Sequence, residues 1–290
     1  MGSEKSRINW AKCAALLFLL LVGVFVWMVA LREARGDTLT VSFLDVGQGD
    51  AAFIETPHGN QMLIDLGPGT RVLSALGDIM PFYDRSIDMI LLTHPDADHV
   101  GGLPEALERY EASAIVLSRV DAETTIWQES KQAISREGAE IILIDHPIRI
   151  TLDEGVIFEI IFPDRDALGF ETNTASIVGR LVYGEISFLF TGDSPREIED
   201  FLIAKWGSSL KSDVLKVGHH GSKTSSGGRF LSSVRPDAAI VSVGKDNRYG
   251  HPHEEVLAAL AAQKIEILRT DSSGTVTFQT DGRSLSRVKN

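Results

Sequence analysis

The chain has 290 residues, 43% of them hydrophobic and 23% charged, the proportions of a globular protein able to bury a core. Its formal net charge of −12 excludes indiscriminate nucleic-acid binding. The single cysteine, Cys13, excludes an intramolecular disulfide and a cysteine-rich zinc site.

In chain order, the first feature is Cys13 to Leu31, an uncharged run between Lys12 and Arg32. As a helix it spans roughly 28 Å, close to a bilayer's hydrocarbon thickness. Trp10 and Trp27 are placed as interfacial anchors would be. The expectation is a single-pass membrane anchor over residues 1–36, with a cleaved signal peptide as the competing assignment. Lys5, Arg7 and Lys12 before the run, against Arg32 and Arg35 after it, place the remaining 37–290 on the extracytoplasmic side.

Residues 37–290 read as one domain, because no Pro/Gly/Ser-rich linker divides them. Strands are expected at 39–44, 51–55, 61–65 and 87–92, the last ending directly at Thr93-His94. Helices follow at 103–109 and 123–137, with strands at 114–117 and 140–143. Further strands fall at 156–162, 176–182, 186–190 and 214–217, with a helix at 195–205 that has Pro at its start. A strand at 238–243, a helix at 254–263 and strands at 265–269 and 275–279 close the chain. Hairpins mixed with helices exclude a simple Rossmann alternation.

His94, Asp96, Asp98 and His99 lie within six residues of one another, directly after an apolar strand. A strand end can aim several side chains at one point, and imidazole with carboxylate suits a divalent cation. Gly101-Gly102 then lets the backbone turn closely. His251 is a candidate general acid or phosphate contact. Residues 205–248 hold eight Lys or Arg against three Asp, a local positive charge suited to an anionic substrate. Within it Lys216, Ser222 and Lys223 are candidate phosphate contacts, with Thr224 and Ser225 beside them. No Gly-x-Ser-x-Gly or Cys-His arrangement competes.

Thr93-His94-Pro95-Asp96-Ala97-Asp98-His99 resembles the signature of the metallo-β-lactamase superfamily, with Asp96 where a second histidine is usual. Phe190-Thr191-Gly192-Asp193 and Val217-Gly218-His219-His220-Gly221-Ser222 are similar to that family's later strand-end motifs, in the same order. With Phe43-Leu44-Asp45-Val46-Gly47-Gln48-Gly49-Asp50-Ala51 and Tyr249-Gly250-His251-Pro252, the soluble part resembles the hydrolase domain of ComEC-type DNA-uptake proteins. The resemblance implies a four-layered αβ/βα sandwich, two divalent metal ions, and nuclease or related phosphodiesterase activity on DNA or another anionic phosphodiester.

It further implies that His94, Asp96 and a bridging Asp193 hold one metal. Asp98, His99, Asp193 and His219 hold the other, with His220 as the alternative to His219. Asp98 then stands among the catalytic residues as well. Asn173 occupies a position where many relatives carry a histidine. Asp and Asn in place of His harden the ligand set toward manganese or magnesium, with zinc still open. Asp45 is expected to orient a ligand histidine. The alternatives are a metallo-hydrolase of an ester, lactone or cell-envelope phosphoester, and a non-catalytic anchored binding module.

Overall fold

The computed structural model describes the backbone of residues 10–288, with the side chains of that span apart from 11 and 29–35. The chain divides into two compact units, Met1–Asp37 and Thr38–Asn290. In the first, helix α1 runs from Trp10 to Arg35. Among the described residues no helix is long and apolar enough to cross a membrane. This overturns the expected single-pass anchor and, with it, the extracytoplasmic placement of residues 37–290. Lys5 and Arg7, and the side chains of Arg32 and Arg35, lie outside the described residues.

The first half of the larger unit runs β1 (Leu39–Phe43), β2 (Ala52–Glu55), β3 (Gln61–Ile64), α2 (Arg71–Ile79), β4 (Ser86–Leu92), α3 (Ala97–Val100) and α4 (Leu103–Leu107). It continues with β5 (Glu111–Ser118), α5 (Thr125–Glu137) and β6 (Glu140–Ile144). The second half runs β7 (Ile148–Asp153), β8 (Val156–Phe162), β9 (Val178–Tyr183), β10 (Ile186–Phe190), α6 (Arg196–Trp206), β11 (Val214–Lys216) and α7 (Gly228–Val234). It ends with β12 (Ala238–Val241), α8 (Glu254–Ala262), β13 (Glu266–Arg269), α9 (Thr270–Ser273), β14 (Val276–Thr280) and β15 (Leu285–Arg287).

These strands form two sheets, ordered β15-β14-β1-β2-β3-β4-β5-β6 and β13-β12-β11-β10-β9-β8-β7. Alternation of side chains along each strand gives every sheet two apolar faces. Val41, Phe43, Ile54 and Leu91 of the first sheet pack against Phe158, Leu181, Phe188 and Phe190 of the second, and the Phe43 and Phe190 rings stack at 5.7 Å. The outer face of the first sheet is covered by Val72, Leu76, Leu103 and Trp127 from α2, α4 and α5. That of the second is covered by Leu202, Phe230, Leu231 and Leu260 from α6, α7 and α8. The result is the helix–sheet–sheet–helix order of a mixed α/β sandwich.

Local signals explain the element ends. The Thr124 side chain accepts from Trp127 N to open α5, and Gly138, at φ 77°, closes it. β3, β4 and β5 run parallel, as do β10, β11 and β12. The carboxyl ends of β3, β4, β10 and β11 are followed by Asp65, Thr93, Thr191 and Val217. Open parallel segments place ligands at such ends. The two sheets meet there, where Ile177 N donates to Thr93 O at 2.9 Å.

Candidate metal centre

His94 and His99 are both buried, and their rings are held by the same device. Asp65 Oδ1 accepts from Thr93 N at 2.8 Å, and Asp65 Oδ2 accepts from Thr93 Oγ1 at 2.7 Å. The Thr93 hydroxyl, having donated to Asp65, accepts from His94 Nδ1 at 2.9 Å. His99 Nδ1 donates to Asp65 Oδ2 at 2.8 Å. One carboxylate therefore sets the tautomer of both rings, leaving each Nε2 with its lone pair. His220 is held similarly: Nδ1 donates to the Ser242 carbonyl at 3.0 Å and lies 3.1 Å from Asp50 Oδ1.

These lone pairs converge. His94 Nε2, His99 Nε2, His220 Nε2 and Asp193 Oδ1 are all buried and have no hydrogen-bond partner. His99 Nε2 is 3.3 Å from Asp193 Oδ1, and His220 Nε2 is 3.2 Å from Asp98 Oδ2 and 3.7 Å from Asp193 Oδ2. Two atoms about 2.1 Å from a shared ion stand roughly 3.0–3.4 Å apart at octahedral to tetrahedral angles. The sets His94/His99/Asp193 and Asp98/His99/His220 each keep their donor atoms within 4.8 Å. Four orphaned donors would be costly in a dry core, and a divalent cation satisfies them together.

The electrostatics run the same way. Burial would raise Asp193, but the His220 and His99 charges outweigh it and hold the carboxyl well below its ordinary range. Asp98 is likewise lowered: burial opposes, while the His220 hydrogen bond and the His99 charge prevail. Burial lowers His94, with His99 adding to it. Against burial, Asp193 and Asp65 raise His99, and Asp193 and Asp50 raise His220 to about 10. The carboxylates thus favour positive charge at the cluster, which a bound cation would supply in place of the imidazole protons, freeing the Nε2 lone pairs.

The backbone is bent to make this possible. His219 and His220 both take left-handed conformations, at φ 49° and 53°, each costing about 1–2 kcal/mol for a residue with a Cβ. The double kink turns His220 inward and leaves His219 at the rim, where Nδ1 meets Thr224 Oγ1 at 3.2 Å and Nε2 is 3.6 Å from Asp193 Oδ2. Asp96 is also at the rim, 3.7 Å from His94 Nε2 with a side chain 36% exposed. The structure thus brings His94, His99, Asp98, Asp193 and His220 into the tight clusters, with His219 and Asp96 outside them. His99 lies with both clusters rather than with the second alone.

Several expected contacts are corrected. Asp45 is exposed, and its carboxylate accepts from Gly47 N at 3.1 Å, bracing its own loop. The carboxylates that orient the histidines are Asp65 and Asp50. Each lies at a strand end or in the glycine-rich loop, a position that the parallel β3–β4 pairing could have flagged. At Gly49 a Cβ would run into the Asp98 carbonyl, so the loop can approach the metal motif only with glycine there.

Lys216 is no substrate contact either. Its side chain is 5% exposed, with Nζ 2.8 Å from Asp50 Oδ2 and donating to Val217 O at 2.8 Å. Ser222 is buried, its hydroxyl oxygen accepting from Thr224 Oγ1 at 3.0 Å within the loop. Lys223 is exposed, with its N–H donating to His253 Nδ1 at 3.3 Å. The basic segment is partly neutralised in space: Arg229 pairs with Asp200 at 3.0 Å and Lys205 with Asp164 at 3.4 Å. Asn173 sits on a 3-10 turn, and its Oδ1 is buried without a partner. Ser176, at the end of that turn, accepts from Asp193 N at 3.2 Å.

His251 is not poised to donate a proton. Burial first, then the neighbouring His219, His220 and His253, push it down to about 4, so the ring is neutral at pH 7.

The loop after His220 is tied down by Glu199, which accepts from Ser226 N and from Gly227 N at 2.9 Å. Burial raises this carboxyl from 4.5 to about 7 against those hydrogen bonds. Between about pH 4.5 and 7 the folded chain keeps a proton that the unfolded chain has released. Its stabilising contribution is therefore full below 4.5 and is lost as pH rises to 7, about 3 kcal/mol. Urea unfolding of wild type and Glu199→Gln at pH 4.5 and 7.5 should show the variant gaining about that much relative to wild type. An unchanged difference would refute the assignment.

Residues 44–245 match the metallo-β-lactamase superfamily, and the chain belongs to it. It is 32% identical to ComE operon protein 3 of Bacillus subtilis (strain 168), over 93% of this chain and 36% of that protein. It is also 32% identical to competence protein ComA of Neisseria gonorrhoeae, over 92% of this chain and 38% of the relative. The chain thus spans little more than a third of these curated relatives. Among solved structures, the metallo-β-lactamase fold protein YhfI from Bacillus subtilis aligns with a TM-score of 0.55 at 14% identity, covering 84% of this chain and all of that one. That likeness shows the fold.

Proposed function

We propose that the chain is a divalent-metal-dependent phosphodiesterase whose substrate is nucleic acid or another anionic phosphodiester. The observation that carries the proposal is the convergence of three imidazole Nε2 atoms and Asp193 Oδ1, all buried and unpartnered. His94, His99 and Asp193 Oδ1 would hold one ion; Asp98, His220 and Asp193 Oδ2 would hold a second. The all-nitrogen and oxygen donor set suits manganese or zinc, with magnesium as the harder alternative. Such ions polarise a phosphoryl oxygen and lower the pKa of water.

The chain's own residues do the rest. Asp65 and Asp50 keep the three rings in one tautomer and orientation, so the donors need no rearrangement on loading. Burial of His94, His99, His220 and Asp193 keeps bulk water behind the ligands. Asp98, 31% exposed, opens the cluster to solvent on one side. Lys223, three residues after His220, and Arg248, three before His251, are exposed and would offer positive charge to phosphate oxygens.

The name of competence protein ComA associates that relative with competence, which supports DNA as the polymer. The test is hydrolysis by the full chain of single- and double-stranded DNA, a chromogenic phosphodiester and a chromogenic carboxylic ester, each with zinc, manganese and magnesium. Phosphodiester cleavage without ester cleavage is expected. Turnover of the ester alone would favour an ester or lactone hydrolase on the same scaffold.

A further inference from the structure

The segment 247–251 presents an organised aromatic surface beside the metal cluster. The His251 ring lies nearly parallel to His220, with centroids 6.4 Å apart and planes at 27°. Tyr249 continues the row on His251, at 5.7 Å and 24°. These spacings are those of stacked rings. The row runs from a fully buried imidazole to a tyrosine that is 50% exposed. Arg248 lays its guanidinium over the Tyr249 ring, 5.0 Å from the centroid, and donates to the phenol oxygen at 2.9 Å.

One side chain fixes this segment. Asn247 Nδ2 donates to Gly244 O at 3.1 Å and to His251 O at 2.6 Å, and its Oδ1 accepts from Tyr249 N at 3.2 Å and His251 N at 3.0 Å. Three of these bonds stay within 247–251, and the fourth reaches back to Gly244. Part of the ordering cost of a binding loop is therefore met before any ligand arrives. Gly244, three residues before the segment, donates to the Gln48 side chain at 3.2 Å, joining this stretch to the glycine-rich loop.

An exposed aromatic ring with an arginine on it, two ring spacings from a metal ligand, is of no use to the ions. It is a surface for another π-system. We propose that Tyr249 and Arg248 form a nucleobase subsite, which stacks an unpaired base of a single-stranded nucleic acid as its backbone passes the metal cluster. The inference rests on the phosphodiesterase reading and adds the strand type. Every base offers a π-face, so the subsite tolerates sequence. In a duplex both faces of each base are already covered, so a paired base cannot enter without unstacking.

The test compares the full chain's KM for a labelled oligothymidylate with that for an abasic oligomer of equal length and charge. Stacking of one base corresponds to a preference of roughly 5- to 150-fold for the base-bearing oligomer. Tyr249→Ala should erase that preference and Tyr249→Phe should keep it, because the ring rather than the hydroxyl stacks. Thermal midpoints and metal content of both variants, compared with wild type, guard against misfolding. Equal KM for the two oligomers in wild type, or a preference surviving in a folded Tyr249→Ala, overturns the subsite while leaving the phosphodiesterase reading intact. If neither oligomer is bound or cut while a chromogenic phosphodiester is cleaved, the subsite fails and the phosphodiesterase reading stands; if the chromogenic phosphodiester is not cleaved either, both fail.

Discussion

Lys216→Met should destabilise the fold by about 3–5 kcal/mol, the usual cost of stranding one member of a buried ion pair. Lys216 and Asp50 are both almost fully buried, with Nζ and Oδ2 2.8 Å apart. Burial pushes the Asp50 carboxyl up, but Lys216 and then His220 and His99 hold it well below its ordinary range. Without the ammonium, that carboxylate must take up a proton or pull on His220 alone. Denaturant unfolding measures the loss. Asp50→Leu combined with Lys216→Met should restore much of the stability, since the pair is replaced by apolar volume. It should not restore the orientation of His220, because only the Ser242 carbonyl would then hold Nδ1. A loss below about 1 kcal/mol in the single variant would mean that the pair is effectively solvated.

The second large effect separates neighbouring histidines. His220→Ala removes a buried Nε2 that faces Asp98 and Asp193, and should weaken binding of one ion by at least about 100-fold, beyond the roughly 10–100-fold of a lost supporting partner. Hydrolysis should fall to background. His219→Ala removes a rim side chain 28% exposed, 3.6 Å from Asp193 Oδ2. It should keep metal affinity within roughly tenfold, the lower end of what supporting partners cost. Competition with a chromogenic chelator reads both constants. The reverse order would mean that His219 swings inward when the ions bind and that the left-handed pair is not fixed.

How much of this was legible in sequence follows from what each signal encodes. β4 ends at Leu92, directly before Thr93-His94, because an apolar run followed by a polar cluster marks a strand end unambiguously. Asp193 after β10 follows from the family resemblance, since a Thr-Gly-Asp alone reads as a turn. Which of His219 and His220 points inward depends on two left-handed backbone angles, and no spacing rule encodes those. Asp45 and Asp50 look alike in a glycine-rich loop, and the turn that exposes one and buries the other is a tertiary fact.

Lys216 illustrates the same limit. A lysine beside a histidine motif suggests phosphate binding, yet its partner Asp50 is far away in sequence and meets it only across the two sheets. Among the elements of five residues or more, the sequence pattern does not mark α2, α7 or β7. The two helices are short, and each carries a glycine at or inside its bounds. β7 reads Ile-Arg-Ile-Thr-Leu-Asp, a partly exposed edge strand. Hydropathy alone also reads as a membrane span, whereas among the described residues no helix is long and apolar enough to cross a membrane.

The most direct test of the metal centre is a calorimetric titration of manganese and of zinc into chelator-stripped full-length protein, followed by phosphodiester hydrolysis on the same samples. The clusters around Asp193 predict two ions per chain, no hydrolysis in the stripped protein and recovery on reloading. Full hydrolysis by the stripped protein, or no uptake of either ion, would contradict the assignment.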